Sequence, residues 1–166
     1  MLIIFAGLPG TGKSTIAKLL AKRLSAVYIR IDSIEQAIKS SLNISEVGPS
    51  GYNVGYNLAL DNIRLGLTVV ADSVNPLEIT RQAWREVAMQ AKVNFLEVEI
   101  ICSDQNEHQN RVMSRTADIP LHKLPTWQEV LARNYEPWNT EHLIIDTAKC
   151  SAQTAIELII KTIIKK

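Results

Sequence analysis

Gly7 and Gly12 bracket four residues and are followed by a lysine and a hydroxyl, in the order Gly7-Leu8-Pro9-Gly10-Thr11-Gly12-Lys13-Ser14. Glycines let a backbone curl until successive N–H groups point at one anion. Lys13 at this spacing reaches the outer phosphates of a nucleotide, and the Ser14 hydroxyl can ligate Mg²⁺. The run Leu2-Ile3-Ile4-Phe5-Ala6 before the loop is apolar, and the stretch from Thr15 has helical periodicity. Strand, glycine-rich turn and helix N-terminus is the context such a loop needs. The expected phosphate-binding residues are therefore Gly7, Leu8, Pro9, Gly10, Thr11, Gly12, Lys13, Ser14 and Thr15, and the expected ligands are ATP and Mg²⁺.

Two carboxylates could complete the chemistry. Asp32 follows the apolar stretch Ala26–Ile31, and Asp72 follows Thr68–Ala71. Phosphoryl transfer to an alcohol needs a metal ligand and a group that orients or deprotonates the hydroxyl. Asp72 is assigned to the metal with Ser14, and Asp32 to the acceptor hydroxyl, although the two carboxylates could exchange these roles. Asp32-Ser33 also reads as the cap of a helix over Ile34–Ser40. Ser73 follows Asp72 where NTP-hydrolysing machines commonly carry a Glu to polarise water. That favours transfer to a bound acceptor over hydrolysis.

Arg111 and Arg115 are spaced i, i+4 on a polar helix read over Asp104–Arg115, so they share one face and could clamp phosphate oxygens. The region 104–125, with His108, His122 and Lys123, reads as a lid. An acceptor pocket is expected near Tyr52 and Tyr56, in the repeat Gly51-Tyr52-Asn53 and Gly55-Tyr56-Asn57, with Asn75 beside it. Tyrosines stack on or hydrogen-bond small polar molecules, although core packing would use them equally well.

The elements that must position these residues alternate. Strands are expected at Leu2–Ala6, Ala26–Ile31, Thr68–Ala71, Val93–Cys102 and Leu143–Asp146. Helices are expected at Thr15–Leu24, Ile34–Ser40, Tyr52–Leu65, Leu77–Ala91, Asp104–Arg115, Thr126–Tyr135 and Ser151–Ile164. Thr126 and Glu129 form a capping-box pattern. Alternation of this kind implies an α/β fold with a parallel sheet and ligands at the carboxyl ends of its strands.

With 166 residues, 46% hydrophobic, the chain fits one domain, 1–166. A formal charge of +1 gives no bulk electrostatic case for nucleic acid or an anionic membrane. The apolar N-terminal run is too short to span a bilayer. Cys102 and Cys150 stand far apart and read as reduced thiols of a cytoplasmic protein.

The loop Gly7–Ser14, Ile31-Asp32-Ser33, Val70–Pro76 and the pair Arg111/Arg115 together resemble the small P-loop kinases, the group of polynucleotide kinase, chloramphenicol phosphotransferase, zeta toxins and gluconate kinase. Pro125-Thr126-Trp127 and Tyr135-Glu136-Pro137-Trp138 are similar to segments of bacterial kinase-like ATP-binding proteins. The resemblance implies a three-layer P-loop NTPase fold with a five-stranded parallel sheet in the order 2-3-1-4-5 and a helical lid. It also implies that Asp32 activates the acceptor and that Lys13, Asp32, Arg111 and Arg115 carry the reaction. One position departs. Polynucleotide kinases of the group carry an Arg three residues after the acceptor Asp, and Glu35 stands there in this chain. A carboxylate would repel a nucleic-acid phosphate.

The expected activity is ATP- and Mg²⁺-dependent transfer of the γ-phosphate to a hydroxyl of a small molecule. Sugars, nucleosides, antibiotics and amino alcohols fit the residues alike. Two alternatives are a 5′-hydroxyl kinase of nucleic acid or nucleotide, and a nucleotide switch or slow ATPase with a protein partner. The chain has no Asn-Lys-x-Asp segment to select guanine.

Overall fold

A computed structural model describes residues 1–165. The strands are β1 (Leu2–Ala6), β2 (Val27–Arg30), β3 (Val69–Asp72), β4 (Phe95–Ile101) and β5 (Leu143–Asp146). They form one parallel sheet in the order β2-β3-β1-β4-β5. Its helices are α1 (Lys13–Leu24), α2 (Ile31–Leu42), α3 (Ser50–Arg64), α4 (Glu78–Ala91), α5 (Gln105–Ser114), α6 (Trp127–Leu131) and α7 (Ala152–Lys165).

β1 is buried along its whole length, as its unbroken apolar sequence requires of a central strand. Alternate side chains enter opposite cores. Ile3 and Phe5 pack with Ile16 and Leu20 of α1 and with Ile156 and Ile159 of α7. Leu2 and Ile4 pack with Ala59 and Ile63 of α3 and with Trp84 and Val87 of α4. Each such aliphatic side chain contributes about 1.5–3 kcal/mol by leaving water, which makes this three-layer packing the main source of stability. Phe5 pairs with Asp72 in register, and Asp72 with Arg30. The carboxyl ends of β1, β3 and β2 are therefore level, and the segments leaving them are held at one edge.

Several expected boundaries move. β2 ends at Arg30, and α2 starts at Ile31 with no turn between them. Its N-cap is Arg30, in extended conformation and without a side-chain cap bond, so Asp32 lies inside the first turn and is not the cap. Ile31, expected in the strand, is buried against the core instead. α5 ends at Ser114, and Arg115 has extended backbone outside it. α6 stops at Leu131, short of the expected Tyr135, although the Thr126–Glu129 capping box is formed.

The Gly-Tyr-Asn repeat has a packing cause. A Cβ on Gly51 would lie 2.3 Å from Glu35 Cγ, and one on Gly55 2.4 Å from Ile31 Cδ1. The two glycines, one turn apart, let α3 close on α2. Tyr52 and Tyr56 then pack at the α4 side, and Asn53 and Asn57 face solvent.

Candidate active site

The loop Gly7–Ser14 joins β1 to α1 and is fixed from both sides. Gly7, at φ +134, is so close to β4 that a Cβ there would lie 2.2 Å from the Ile100 carbonyl oxygen. The Gly7 N–H donates to the Val74 carbonyl at 3.1 Å. Gly10, at φ +88, faces α5, where a Cβ would meet Val112 and His108. His108 is buried, its Nε2 is 2.9 Å from the Pro9 carbonyl oxygen, and its ring stands edge-on to Trp127. Thr11 hydrogen-bonds back to the Leu8 carbonyl at 2.9 Å. Lys13 is 7% exposed, so its ammonium is confined to the cleft.

Arg111 and Arg115 do not form one clamp. Arg111 donates to Thr147 Oγ1 at 2.8 Å and to the Thr147 carbonyl at 3.1 Å, and pairs with Glu107 at 2.5 Å. Thr147 Oγ1 in turn donates to the Thr11 carbonyl at 2.8 Å. Arg111 thus braces the outer flank of the loop at Gly12. Arg115 reaches the inner side instead, and its buried Nε and Nη2 have no hydrogen-bond partner. Burial holds its guanidinium below the usual arginine range, with Asp32 and Asp118 opposing that effect. Both arginines line a cavity of about 270 Å³ over Gly10, Gly12, Lys13, Ser14 and Thr15.

Asp72 is 1% exposed at the end of β3. Tyr28 donates to its Oδ2 at 2.6 Å, and Arg30 Nε is 3.9 Å from the same oxygen. Oδ1 is buried and has no partner. Burial, and after it the charge of Asp72, pushes the Tyr28 hydroxyl well above its ordinary value, so it remains a donor.

Asp32 is within 3.8 Å of Arg30 Nε and lines two adjoining cavities. The first, about 410 Å³, is shared with Lys13, Ser14, Arg30 and Arg115. The second, about 480 Å³, is walled by Tyr52, Tyr56, Pro76, Leu77 and Ile79 and carries Glu35 and Arg133 at its polar side. Burial pushes the Tyr52 phenol up to about 12. Asn75 does not join this wall. It is fully buried at φ +46, donates from Nδ2 to the Phe5 carbonyl at 2.8 Å, and accepts nothing at Oδ1. Its backbone N–H donates to the Tyr52 hydroxyl at 3.2 Å. Asn75 ties the end of β3 to β1, which is a scaffold role.

Asp118 and Lys18 escape the sequence reading, and Arg30 takes a direction that the sequence reading leaves open. Arg30 stands between Asp32, Asp72 and Asp118, and donates from Nη1 to both Asp118 oxygens at 3.0 and 2.8 Å. Lys18 of α1 also donates to Asp118, at 2.5 Å. The segment after α5 is thereby strapped over the cleft. Alternation along β2 accounts for the direction of Arg30, because Val27 and Ile29 enter one core and Tyr28 and Arg30 take the other face.

No helix is long and apolar enough to cross a membrane among the described residues. No group of three or more His, Cys, Asp or Glu able to hold a metal is present among them.

Comparison with known proteins agrees with this architecture. A candidate kinase from Chloroflexus aurantiacus superposes with a TM-score of 0.78 at 19% identity, covering 99% of this chain and 96% of that one. The APS kinase CysC of Mycobacterium tuberculosis, in complex with AMPPNP and APS, superposes with a TM-score of 0.70 at 18% identity, covering 96% and 95%. These likenesses establish the fold. In sequence, a cytidylate kinase of Sulfurisphaera tokodaii is 47% identical over 49 residues, which is 28% of this chain. The match covers only 27% of that relative's length. The model of the AAA_33 family, described as an AAA domain, matches residues 2–134. With that match over most of its length, and the five-stranded sheet and phosphate loop to accompany it, the chain belongs to the P-loop kinase-like family AAA_33.

Proposed function

We propose that the protein is an ATP- and Mg²⁺-dependent phosphotransferase that moves the γ-phosphoryl group to a hydroxyl of a small molecule. The observation that carries this reading is the position of Asp32, on the wall common to the cavity that holds Lys13 and Ser14 and the aromatic cavity beside it. A group there touches donor and acceptor at once. The kinase neighbours, one of them bound to AMPPNP, support the donor half.

The loop N–H groups and Lys13 would hold the phosphates, and Arg115 would meet the transferring group with its unpartnered Nε and Nη2. The Ser14 hydroxyl and the free, buried Asp72 Oδ1 suit Mg²⁺, which takes one or two carboxylates and completes its shell with phosphate and water. Bound there, the ion would neutralise charge on the β- and γ-phosphates. Asp32 would orient the acceptor hydroxyl and take its proton as the new P–O bond forms and the bond to the departing ADP breaks. Tyr28 holds Asp72 in place, and the strap at Asp118 limits the entry of water.

Incubation with γ-labelled ATP, Mg²⁺ and a metabolite extract, read by mass spectrometry, tests the reading. A labelled product is expected that is absent with Lys13→Ala and reduced about 10²–10⁴-fold with Asp32→Asn. Asp32→Asn transferring at the wild-type rate would remove Asp32 from the chemistry. Hydrolysis with no labelled product, accelerated by a protein partner, would replace transfer by a switch.

A further inference from the structure

The proposed transfer leaves one carboxylate of the acceptor side unused. Glu35 is one turn from Asp32 on α2, so the two side chains share a face. It lines both the cavity above the loop and the aromatic cavity. α3 is built to admit it, because any side chain at Gly51 would collide with Glu35 Cγ at 2.3 Å and crowd its Oε1 at 3.1 Å. Its carboxylate makes no hydrogen bond or ion pair with another described residue and stays open to solvent, so an occupant that displaces that solvent must replace its hydrogen bonds. Burial, and then Asp32, pushes the Glu35 carboxyl up, while Lys39 and Arg133 pull it back. Tyr52, Tyr56, Leu77 and Ile79 offer an apolar surface opposite. An occupant of this cavity that leaves Glu35 satisfied must bring a hydrogen-bond donor.

We propose that Glu35 selects the acceptor by accepting a hydrogen bond from a second donor group, a hydroxyl or an ammonium, adjacent to the hydroxyl that Asp32 orients. The acceptor is then a neutral or cationic polyol or amino alcohol with an apolar or aromatic body. Acceptors carrying phosphate, sulfate or carboxylate between Asp32 and Glu35 are disfavoured, because two carboxylates there outweigh the one cation on that wall, Arg133. Lys39 and Arg133 oppose the effect of burial and of Asp32 on Glu35. This assignment rests on the phosphotransfer reading and adds the acceptor class to it.

The test begins with the labelled product from the metabolite extract. If wild type yields none, the phosphotransfer reading fails and this assignment falls with it. If a product forms, its parent acceptor is expected to be neutral or cationic with at least two donors. For that acceptor, Glu35→Ala should raise KM about tenfold or more, as loss of a charged hydrogen bond does. Its kcat should change less than about threefold, which separates Glu35 from Asp32. ADP affinity should stay at the wild-type value, which shows that the fold is intact. Glu35→Gln identifies the donor: it restores KM when the donor is a hydroxyl and leaves it raised when the donor is an ammonium. If the alanine variant fails to bind ADP, Glu35→Asp, which withdraws the charge by one methylene, is held to the same KM criterion. An anionic acceptor, with cytidine 5′-monophosphate as the direct probe, overturns the assignment, and so does a KM within about twofold of wild type in Glu35→Ala, or in Glu35→Asp where that variant replaces it.

Discussion

His108 Nε2 stands 2.9 Å from the Pro9 carbonyl oxygen, and this contact joins α5 to the phosphate loop. The ring is buried and set edge-on to Trp127 at 5.1 Å, so its nitrogen has one direction to point. Pro9 precedes the residues whose N–H groups would hold phosphate, and its carbonyl orientation fixes the peptide planes after it. His108→Ala should therefore loosen the loop as well as the protein. We expect a loss of about 1–3 kcal/mol in denaturant unfolding, with ADP affinity down about fivefold or more. Fluorescence titration with ADP checks this. Unchanged affinity in a destabilised variant would reduce His108 to core packing.

Gly10→Ala and Gly48→Ala form a matched pair. Both glycines have positive φ, at +88 and +58, so each substitution carries the left-handed penalty of about 1–2 kcal/mol. Only Gly10 faces an obstacle, Val112 Cγ2 at 2.4 Å from the new Cβ, while Gly48 has nothing within 4 Å. Gly10→Ala must push α5 away from the loop. It should weaken ADP binding about tenfold or more, a loss of at least one contact of the nucleotide. Gly48→Ala should lower stability and leave ADP affinity intact. Similar ADP affinities in the two variants would mean that α5 does not set the loop.

Much of this frame is legible in the sequence because its causes are local. A five-residue apolar run cut off by a Gly-rich turn is too short for a helix and reads as a central strand, and the turn with its lysine and hydroxyl before a helix reads as a phosphate cradle. The cap expected at Asp32 does not form, because β2 passes straight into α2 and the chain never makes the turn that a capping side chain needs. Arg115 shares the cleft with Arg111, yet by leaving the helix rather than by helical spacing. Chain proximity groups Asn75 with the tyrosines, whereas its burial against the Phe5 carbonyl comes from the β1–β3 packing. The strap at Asp118 has no local signal at all, since its partners Arg30 and Lys18 are 88 and 100 residues away in sequence.

That strap has a pH dependence with a definite sign. Hydrogen bonds from Arg30, then Lys18, hold the Asp118 carboxyl well below its ordinary value of 3.8. A depressed folded pKa stabilises the paired form at all pH above the unfolded value and loses that stabilisation as pH falls toward the folded one. The strap should thus be constant across neutral pH and release only in acid below the ordinary carboxylate range. Asp118 is 52% exposed, so Asp118→Ala should change global stability by only about 0–1 kcal/mol. Proteolysis or hydrogen exchange in 115–125 should rise at neutral pH, with ADP protecting wild type more than the variant. Equal exchange in both proteins would show that the strap does not hold this segment.

Tyr28 and Asp72 provide the sharpest local test. The Tyr28 hydroxyl donates at 2.6 Å to Oδ2 of a carboxylate that is 1% exposed, and the nearest cation, Arg30 Nε, is 3.9 Å from the same oxygen. Removing the donor leaves a buried acceptor with one distant charge, which costs about 1–3 kcal/mol. Tyr28→Phe should lose that amount in denaturant unfolding, and much less when Asp72 is already Asn, because a neutral amide needs the hydroxyl less. The double-mutant cycle should then give a coupling of about 1–3 kcal/mol. The same variant separates structure from metal binding. If Tyr28 only aligns Asp72 so that Oδ1 faces the loop, Tyr28→Phe weakens ADP binding in the presence of Mg²⁺ and leaves it unchanged in EDTA. A coupling near zero, or an equal loss of ADP affinity with and without Mg²⁺, would end the assignment of Asp72 Oδ1 to the metal.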